Sequence, residues 1–190
     1  MSLHKTVVIG DRIPDFQLLD QHGKWIRRGD FQGKPLVIFF YPKDHTPGCT
    51  AEACSFRDYE SEFQEAGAQV IGINDAEVSM HKSFAIRYDL KYPLLSDPGQ
   101  LVRKSFGASG LLFNTIANRI TYVTDGSHKV AYIFQSLFRA NHHVYESLDF
   151  IKKIEDLQKL SSLMELLQPV EVGLQNLPFI TCSKNDVVHI

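Results

Sequence analysis

The stretch LVIFFYPKDHTPGCTAEAC, residues 36–54, contains the signals for a strand, a turn and a helix. Its first five residues are an uninterrupted apolar run, which is typical of a strand buried on both faces of a sheet. Pro42 ends the pairing, because proline has no N–H to donate to a neighbouring strand. Thr46 then offers an N-cap and Pro47 a first helical residue, so Cys49 is predicted to lie in the first turn of a helix.

The same alternation of strand and helix patterns continues on both sides of this stretch. Residues 16–31 read as an N-terminal hairpin of two short strands, and the turn DGSHK separates two later strands. The patterns predict further strands at 36–40, 70–73, 93–95, 119–124 and 130–134, and helices at 50–66, 79–88, 100–106 and 143–160. This order indicates an α/β domain whose sheet is parallel at its centre and antiparallel at one edge, and therefore mixed.

The composition is that of an ordinary globular chain. The 190 residues are 44% apolar and 22% charged, which is enough for one domain with a substantial core. We expect this domain to span residues 1–160, followed by an extension at 161–190 whose conformation the sequence does not define. A net charge of −2 gives no basic surface for nucleic acid, and no apolar run reaches the roughly 20 residues of a membrane helix, so neither partner is expected.

The cysteine count and the N-terminal residues bear on the cellular compartment. Three cysteines is an odd number, which argues against the fully paired framework of a secreted protein. The opening residues MSLHKTVVIGDRIPDF lack the apolar core of a secretory signal. We therefore expect a reducing environment and a cytoplasmic location.

The position of Cys49 indicates a reactive sulfur. In the first turn of a helix, backbone N–H groups without intrahelical partners and the positive end of the helix dipole both stabilise a thiolate. Such a thiolate is a nucleophile that needs no histidine base. The alternative is a structural cysteine, buried on the apolar helix face that it shares with Ala53, Phe56 and Phe63.

A second cysteine, Cys54, follows five residues later, which is the wrong spacing for a CxxC redox pair. On one helix, five residues leave the two side chains about 140° apart in rotation and about 7.5 Å apart along the axis. That rise alone exceeds the roughly 7 Å between Cα atoms that an unstrained disulfide allows. The pair can bridge only if the first turns unwind, as expected of a thiol that condenses with a sulfenic acid on Cys49. An incidental small residue in a helix is the alternative.

The residues Pro42-x-x-x-Thr46-x-x-Cys49 match the PxxxTxxC motif of the peroxiredoxins. The wider run YPKDHTPGCTAEACSFRD resembles the subgroup called PrxQ or bacterioferritin comigratory protein, in which a second cysteine follows the first by five residues. With further matches in DRIPDFQLLDQHGK, YPLLSDPGQ, RITYVTDG and ANHH, the resemblance covers roughly residues 5–155. It implies a thioredoxin-like fold, with a central mixed sheet flanked by helices, and the reduction of hydroperoxides by cysteine without a cofactor or metal.

The resemblance also implies roles for individual residues. Cys49 would be the peroxidatic cysteine and Cys54 the resolving cysteine, joined by an intramolecular disulfide after oxidation. Thr46 would offer its hydroxyl to the thiolate and the peroxide, and Pro42 would shield the pocket. A hydroperoxide substrate and a thioredoxin-like dithiol reductant would be the partners of a protein that is a monomer or a weak dimer.

Two charged residues complete the site that the resemblance implies. Arg119, at the start of RITYVT, matches the active-site arginine of the family, and its permanent charge would stabilise both the thiolate and the leaving oxygen. Glu52, three residues after Cys49, matches an acid that orients arginines. An exposed first-turn acid beside the helix dipole is the alternative for Glu52.

The remaining candidates lie outside this motif. Adjacent histidines on a helix point about 100° apart, so His142 and His143 are predicted to occupy the first turn of a helix capped by Asn141 and not to bind a metal together. His45 is predicted to be solvated. Cys182 lies in the unmatched final segment, where it would be inert, pair with another chain or enter the redox cycle.

Two other functions stay open at this point. A dithiol–disulfide oxidoreductase acting on proteins would share the thioredoxin-like fold but normally carries CxxC. A non-enzymatic zinc-binding or holdase module would use the cysteines and histidines, although the helix geometry opposes chelation of one ion by Cys49 and Cys54. The prediction is a thiol-dependent peroxidase acting on hydrogen peroxide and organic hydroperoxides.

Overall fold

The protein is known from a computed structural model that describes residues 6–108 and 119–166. Its strands are β1 Gln17–Asp20, β2 Trp25–Arg27, β3 Leu36–Phe40, β4 Gln69–Asn74, β5 Leu94–Ser96, β6 Ile120–Thr124 and β7 Val130–Gln135. Its α-helices are α1 Pro47–Asp58, α2 Glu60–Glu65, α3 Val78–Tyr88, α4 Leu101–Ser105 and α5 Ala140–Leu166, and a 3-10 helix spans Arg28–Phe31. Each predicted strand is present, and each predicted helix has a counterpart, although the helix predicted at 50–66 is divided in two.

The seven strands of the described residues join one mixed sheet in the order β2-β1-β5-β4-β3-β6-β7. Strands β3, β4 and β5 pair in parallel at its centre. Strands β6 and β7 add an antiparallel edge on one side, and the hairpin β1–β2 adds another on the other side. The predicted α/β class, mixed sheet and N-terminal hairpin are confirmed.

Strand β3 lies at the centre of the core and is buried along its whole length. Because side chains alternate across a strand, Val37 and Phe39 enter the apolar cluster beneath α1, α3 and α5, whereas Ile38 and Phe40 enter the cluster on the opposite face. Phe39 stacks on Phe56 of α1 with ring centroids 4.5 Å apart. The strand that leads into the predicted site therefore also packs against the helix that follows it.

The helix predicted at 50–66 is two helices in the structure. Helix α1 ends at Asp58 and α2 begins at Glu60, with Tyr59 between them at φ −107° and ψ 13°. The ring of Tyr59 packs edge-on against Tyr145 of α5, with centroids 5.6 Å apart. The break between α1 and α2 therefore coincides with the contact of Tyr59 with α5, and the sequence pattern does not show it.

Helix α5 begins earlier and ends later than predicted. It starts at Ala140, so Asn141 lies inside the helix and its predicted capping role is wrong. The backbone before this start is already held by Ser136, whose Oγ accepts a hydrogen bond from the N–H of Arg139 at 3.2 Å. The helix continues to Leu166, past residue 160, where the predicted domain boundary stays a prediction.

Cys182 and most of the predicted extension lie outside the described residues, as does the segment 109–118. Among the helices that are described, none combines the length and the apolar character needed to cross a membrane.

Candidate active site

Cys49 lies at the start of α1, just after the loop that follows the central strand β3. Thr46 is the N-cap residue in an extended conformation, although its side chain makes no capping hydrogen bond. Pro47 is the first helical residue and Cys49 is the third, as the sequence predicts. The side chain of Cys49 is only 2% exposed, although its backbone is in the first turn, where N–H groups have no intrahelical acceptor. The sulfur is therefore placed in a largely water-free pocket at the positive end of a helix.

Arg119 directly precedes β6, the strand that pairs with β3, and its side chain reaches the pocket of Cys49. Its neighbour Ile120 pairs with Phe40, the last residue of β3, so the start of β6 lies at the same end of the sheet as the loop that leads to Cys49. The Nη2 group of Arg119 donates a hydrogen bond to Cys49 Sγ at 3.5 Å, and the arginine is 3% exposed. A Cβ atom on Gly48 would lie 3.3 Å from this Nη2, so glycine leaves room for the guanidinium.

Glu52 lies one helical turn after Cys49 and is fully buried. Its Oε2 accepts a hydrogen bond from Nη1 of Arg119, so one guanidinium contacts both the carboxyl and the sulfur. Burial raises the pKa of Glu52 to about 8 against the opposing effect of Arg119. Near neutral pH the carboxyl is therefore largely protonated, and it orients Arg119 without cancelling the positive charge that faces Cys49.

His143 belongs to the same buried network, which the sequence does not indicate. Its Nε2 donates to the carbonyl of Ser136 at 2.8 Å, and its Nδ1 accepts from the hydroxyl of Thr121 at 2.8 Å. Burial, with a smaller contribution from the nearby Arg119, lowers the pKa of His143 to about 4, so the ring is neutral near pH 7. Its one proton lies on Nε2, because the carbonyl that Nε2 faces can only accept a hydrogen bond. Nδ1 lies 3.8 Å from Glu52 Oε1, so the ring borders the carboxyl.

His142 and His143 occupy the first turn of α5, as predicted. Among the described residues, no group of three or more His, Cys, Asp or Glu side chains is arranged to hold a metal ion. The prediction that His45 is solvated is correct only in part. Its ring is half-buried and packs edge-on against Phe84 with centroids 5.0 Å apart, because its backbone adopts φ 60° and turns the side chain toward α3.

Cys54 lies on α1 with Cys49, and both thiols are free. Since the helix is continuous between them, the rise and rotation of five helical residues separate the two side chains. Cys54 is partly exposed and borders a surface groove, which is also lined by Ala51, Ser55, Asp58, Tyr59, Glu62, Asn141 and Tyr145. An external thiol therefore meets Cys54 more readily than Cys49.

Thr46 and Pro42 border the loop before Cys49. The hydroxyl of Thr46 donates to the carbonyl of Lys43 at 3.1 Å, so in this conformation the hydrogen bond it donates stays within the loop. Pro42 is half-buried and lines a surface cleft together with Lys43 and Met80. The roles expected of Thr46 and Pro42 toward a peroxide stay predictions.

A buried cysteine at a helix start, contacted by a guanidinium at the end of a mixed sheet, defines a thiol redox protein of thioredoxin-like fold. Residues 9–133 match the sequence profile of the AhpC/TSA family, and the chain belongs to this family. Over 152 residues it is 44% identical to chloroplastic peroxiredoxin Q of Gentiana triflora. This alignment covers 80% of this chain and 70% of that protein.

Two solved structures are also similar. Peroxidoxin BcpB from Mycobacterium tuberculosis is 37% identical with a TM-score of 0.73, and the match covers 78% of this chain and 98% of that one. Bacterioferritin comigratory protein from Xanthomonas campestris is 26% identical with a TM-score of 0.68, over 74% of this chain and 92% of that one. The resemblance to the PrxQ subgroup and the thioredoxin-like fold are confirmed.

The protein is therefore a thiol-dependent peroxidase, with a peroxide as substrate and a thioredoxin-type reductant. The predicted cytoplasmic location is wrong, because the similar peroxiredoxin Q of Gentiana triflora is named as a chloroplastic protein. Unpaired cysteines indicate a reducing compartment, but they do not distinguish one reducing compartment from another.

Proposed function

We propose that Cys49 is the peroxidatic nucleophile and that Arg119 is its charge partner. The observation that carries this proposal is the 3.5 Å contact between Arg119 Nη2 and Cys49 Sγ, in a pocket where both side chains are almost fully buried. In such a poorly solvated place, a fixed cation interacts more strongly with a thiolate than it does in water. The same cation faces the oxygen on which negative charge develops when the O–O bond breaks.

In the first step the Cys49 thiolate attacks the terminal oxygen of the hydroperoxide. An S–O bond forms and the O–O bond breaks. The leaving oxygen takes the electron pair, and it takes from solvent the proton that the Cys49 thiol released on ionising, to give water or an alcohol. Cys49 becomes a sulfenic acid. Thr46 would turn its hydroxyl from Lys43 to the bound peroxide, and Pro42 would limit the access of water. Glu52 would orient Arg119 through their hydrogen bond.

In the second step the start of α1 unwinds and the Cys54 thiol attacks the sulfur of the sulfenic acid. An S–S bond forms, the S–O bond breaks, and water leaves. A thioredoxin-type dithiol then reduces the disulfide by exchange and restores both thiols. The partial exposure of Cys54 supports this order, because the incoming dithiol needs access to one of the two sulfurs.

Organic hydroperoxides would be substrates alongside hydrogen peroxide. The Xanthomonas campestris relative, 26% identical, has an alkyl peroxide reduction activity. Comparing tert-butyl hydroperoxide with hydrogen peroxide at equal concentrations tests this proposal, and sedimentation over a range of protein concentrations tests whether the protein is a monomer or a weak dimer.

Intact mass after one equivalent of hydrogen peroxide tests the cysteine assignments. The unmodified chain should lose two hydrogen atoms and give cross-linked peptides containing Cys49 and Cys54. Cys54→Ser should gain one oxygen atom instead, and Cys49→Ser should not change in mass. Cys182→Ser is the matched control and should behave as the unmodified chain does. A Cys54→Ser variant that turns over at the normal rate with thioredoxin would show that Cys54 is not the resolving cysteine.

A further inference from the structure

A second buried polar group lies beneath the loop that carries Thr46, on the side away from Arg119. We name it the Asp44 cluster, and it consists of Tyr41, Asp44, Asn74 and His81, each at most 4% exposed. Asp44 Oδ1 accepts hydrogen bonds from the hydroxyl of Tyr41 and the amide of Asn74, both at 2.7 Å. Asp44 Oδ2 faces His81 Nδ1 at 2.9 Å. Residues from β4, α3 and the end of β3 thus meet on one carboxylate.

The hydrogen bonds of this cluster surround the carboxylate of Asp44 and orient the ring of His81. His81 Nε2 faces the carbonyl of Leu95 at 3.2 Å, and a carbonyl only accepts, so Nε2 carries a proton. Burial by itself raises the pKa of Asp44, but the hydrogen bonds from His81, Tyr41 and Asn74 lower it overall. The carboxylate is therefore ionised, and the His81 ring faces it at the ion-pair distance of 2.9 Å in a fully buried place.

The position of Asp44 in the chain gives the ion pair its significance. Asp44 is the middle residue of the active-site loop, residues 42–46, which connects β3 to the N-cap of α1. The next residue, His45, has φ 60°, a conformation that non-glycine residues adopt only where their surroundings hold them. Its Nε2 lies 3.3 Å from the hydroxyl of Ser83, also on α3. Two consecutive loop residues are thus attached to one helix.

We propose that Asp44 and His81 are positioning residues, which hold the active-site loop against α3 in the conformation that Cys49 needs to attack a peroxide. The proposal rests on the roles given above to Cys49 and Thr46. Opening of α1 for disulfide formation occurs after the loop, at and beyond Pro47, while the ion pair lies before it. The Asp44 cluster therefore supports the first chemical step and leaves the second step free.

An effect on the first chemical step alone distinguishes a positioning role from a merely stabilising one. A stabilising ion pair would change the unfolding midpoint and leave both rates unaltered under conditions where the variant is folded. A positioning pair changes the rate of Cys49 oxidation alone. A displacement of about 1 Å at a reacting group costs up to about 10²-fold in rate, so a loss of about tenfold or more is expected when the loop is released.

The test measures the two steps separately. In a Cys54→Ser background, rapid quenching and intact mass give the rate constant for sulfenate formation with hydrogen peroxide. In the chain with both cysteines, excess peroxide followed by the same method gives the rate of disulfide formation. Asp44→Ala should slow the first rate about tenfold or more and leave the second within about twofold. Lys82→Gln, at an exposed position of α3, is the matched control and should change neither rate.

Two milder variants keep the test decisive if Asp44→Ala does not fold. Asp44→Asn keeps the shape of the side chain and an acceptor for Tyr41, and His81→Gln keeps a donor toward Asp44, so each should slow oxidation less than Asp44→Ala is expected to. A folded variant that oxidises Cys49 at the parent rate, or that slows both steps equally, overturns the positioning role alone. A Cys54→Ser parent that forms no sulfenate on Cys49 overturns the proposed cysteine roles, and the positioning role with them.

Discussion

Two buried acid–base pairs flank the loop before Cys49, and their carboxyl groups behave in opposite ways. Asp44 receives hydrogen bonds from three side chains, which lower its pKa although it is buried. Glu52 receives one, from Arg119, and its Oε1 has no hydrogen-bond partner among the described residues, so burial raises its pKa to about 8. At Asp44 the three hydrogen bonds and the electrostatic effect of His81 outweigh burial, whereas at Glu52 burial outweighs the opposing effect of Arg119.

This difference matches the two places in the site. Next to Cys49, a neutral Glu52 holds Arg119 by a hydrogen bond and leaves its positive charge for the sulfur. Behind the loop, Asp44 and His81 face each other and are also bonded to Tyr41, Asn74 and the Leu95 carbonyl, and they act only on the position of the chain. A carboxyl group paired with a basic residue thus directs a positive charge to Cys49 on one side of the site, and it positions the active-site loop on the other.

The largest expected effect comes from changing the cation. Arg119→Lys removes the planar group that contacts both Glu52 and Cys49, because an ammonium group is a point charge with no fixed fork of donors. We expect the rate constant for peroxide reduction to fall about 10²- to 10³-fold, as for the loss of an oxyanion donor. Arg139→Lys, at an exposed position near α5, is the control in the same stopped-flow assay. A loss below about tenfold would contradict the role of Arg119.

The second effect tests the neutral state of Glu52. Its folded pKa of about 8 lies above the ordinary value of 4.5, so its contribution to stability is fully present below about pH 4.5 and is lost as pH rises through 8. Glu52→Gln does not titrate. The unfolding free energy of the unmodified chain should fall relative to Glu52→Gln by on the order of 2–4 kcal/mol over this range.

Urea unfolding of both proteins at intervals between pH 4.5 and 8.5 measures this difference, and a constant offset would contradict the raised pKa. Gln can still accept the hydrogen bond from Arg119. Peroxidase activity of Glu52→Gln at pH 7 should therefore stay within about threefold of normal, since only a neutral hydrogen bond is exchanged for another.

The third effect concerns His143, on the same side of the site. Its folded pKa of about 4 lies below the ordinary value of 6.5, so the neutral ring contributes stability above about pH 6.5 that is lost as pH falls through 4. Relative to His143→Asn, the unmodified chain should lose about 1–3 kcal/mol between these values. His142→Asn, the neighbouring change, is the control for urea unfolding, and equal slopes for the two variants would contradict the assignment.

The smallest effect belongs to Asp44, because its pKa is lowered from an already acidic 3.8. Its contribution to stability is present above pH 3.8 and is lost as pH falls through the lower, folded value. Compared with Asp44→Asn, the unmodified chain should lose stability only below about pH 4. If this loss instead began near neutral pH, Asp44 would be neutral like Glu52 and the contrast between the two pairs would fail.

The sequence predicts the parts of this site that lie close together in the chain. Strand β3, the cap at Thr46 and the place of Cys49 in the first turn follow from local patterns, because proline, threonine and an apolar run act through their immediate neighbours. Arg119 is identified by resemblance only, since its contact with Cys49 spans 70 residues and depends on the pairing of β6 with β3.

The residues that the sequence analysis missed share a physical cause. His81 is separated from Asp44 by 37 residues and His143 from Thr121 by 22, so each pair forms only after the helices pack on the sheet. On the sequence alone, a histidine in a helix does not reveal whether its ring faces solvent or a buried acceptor. Asp44 lies within the motif YPKDHTPGC, but its partner His81 is identified only once the fold is known.

The unbroken path of α1 between Cys49 and Cys54 has one further consequence. Under the roles proposed for Cys49 and Cys54, oxidised Cys49 would stay within reach of a second peroxide molecule until the helix opens, and that molecule would oxidise it to sulfinic acid. The opening rate of the first turns of α1 would therefore set the peroxide concentration above which Cys49 is over-oxidised before the disulfide can form.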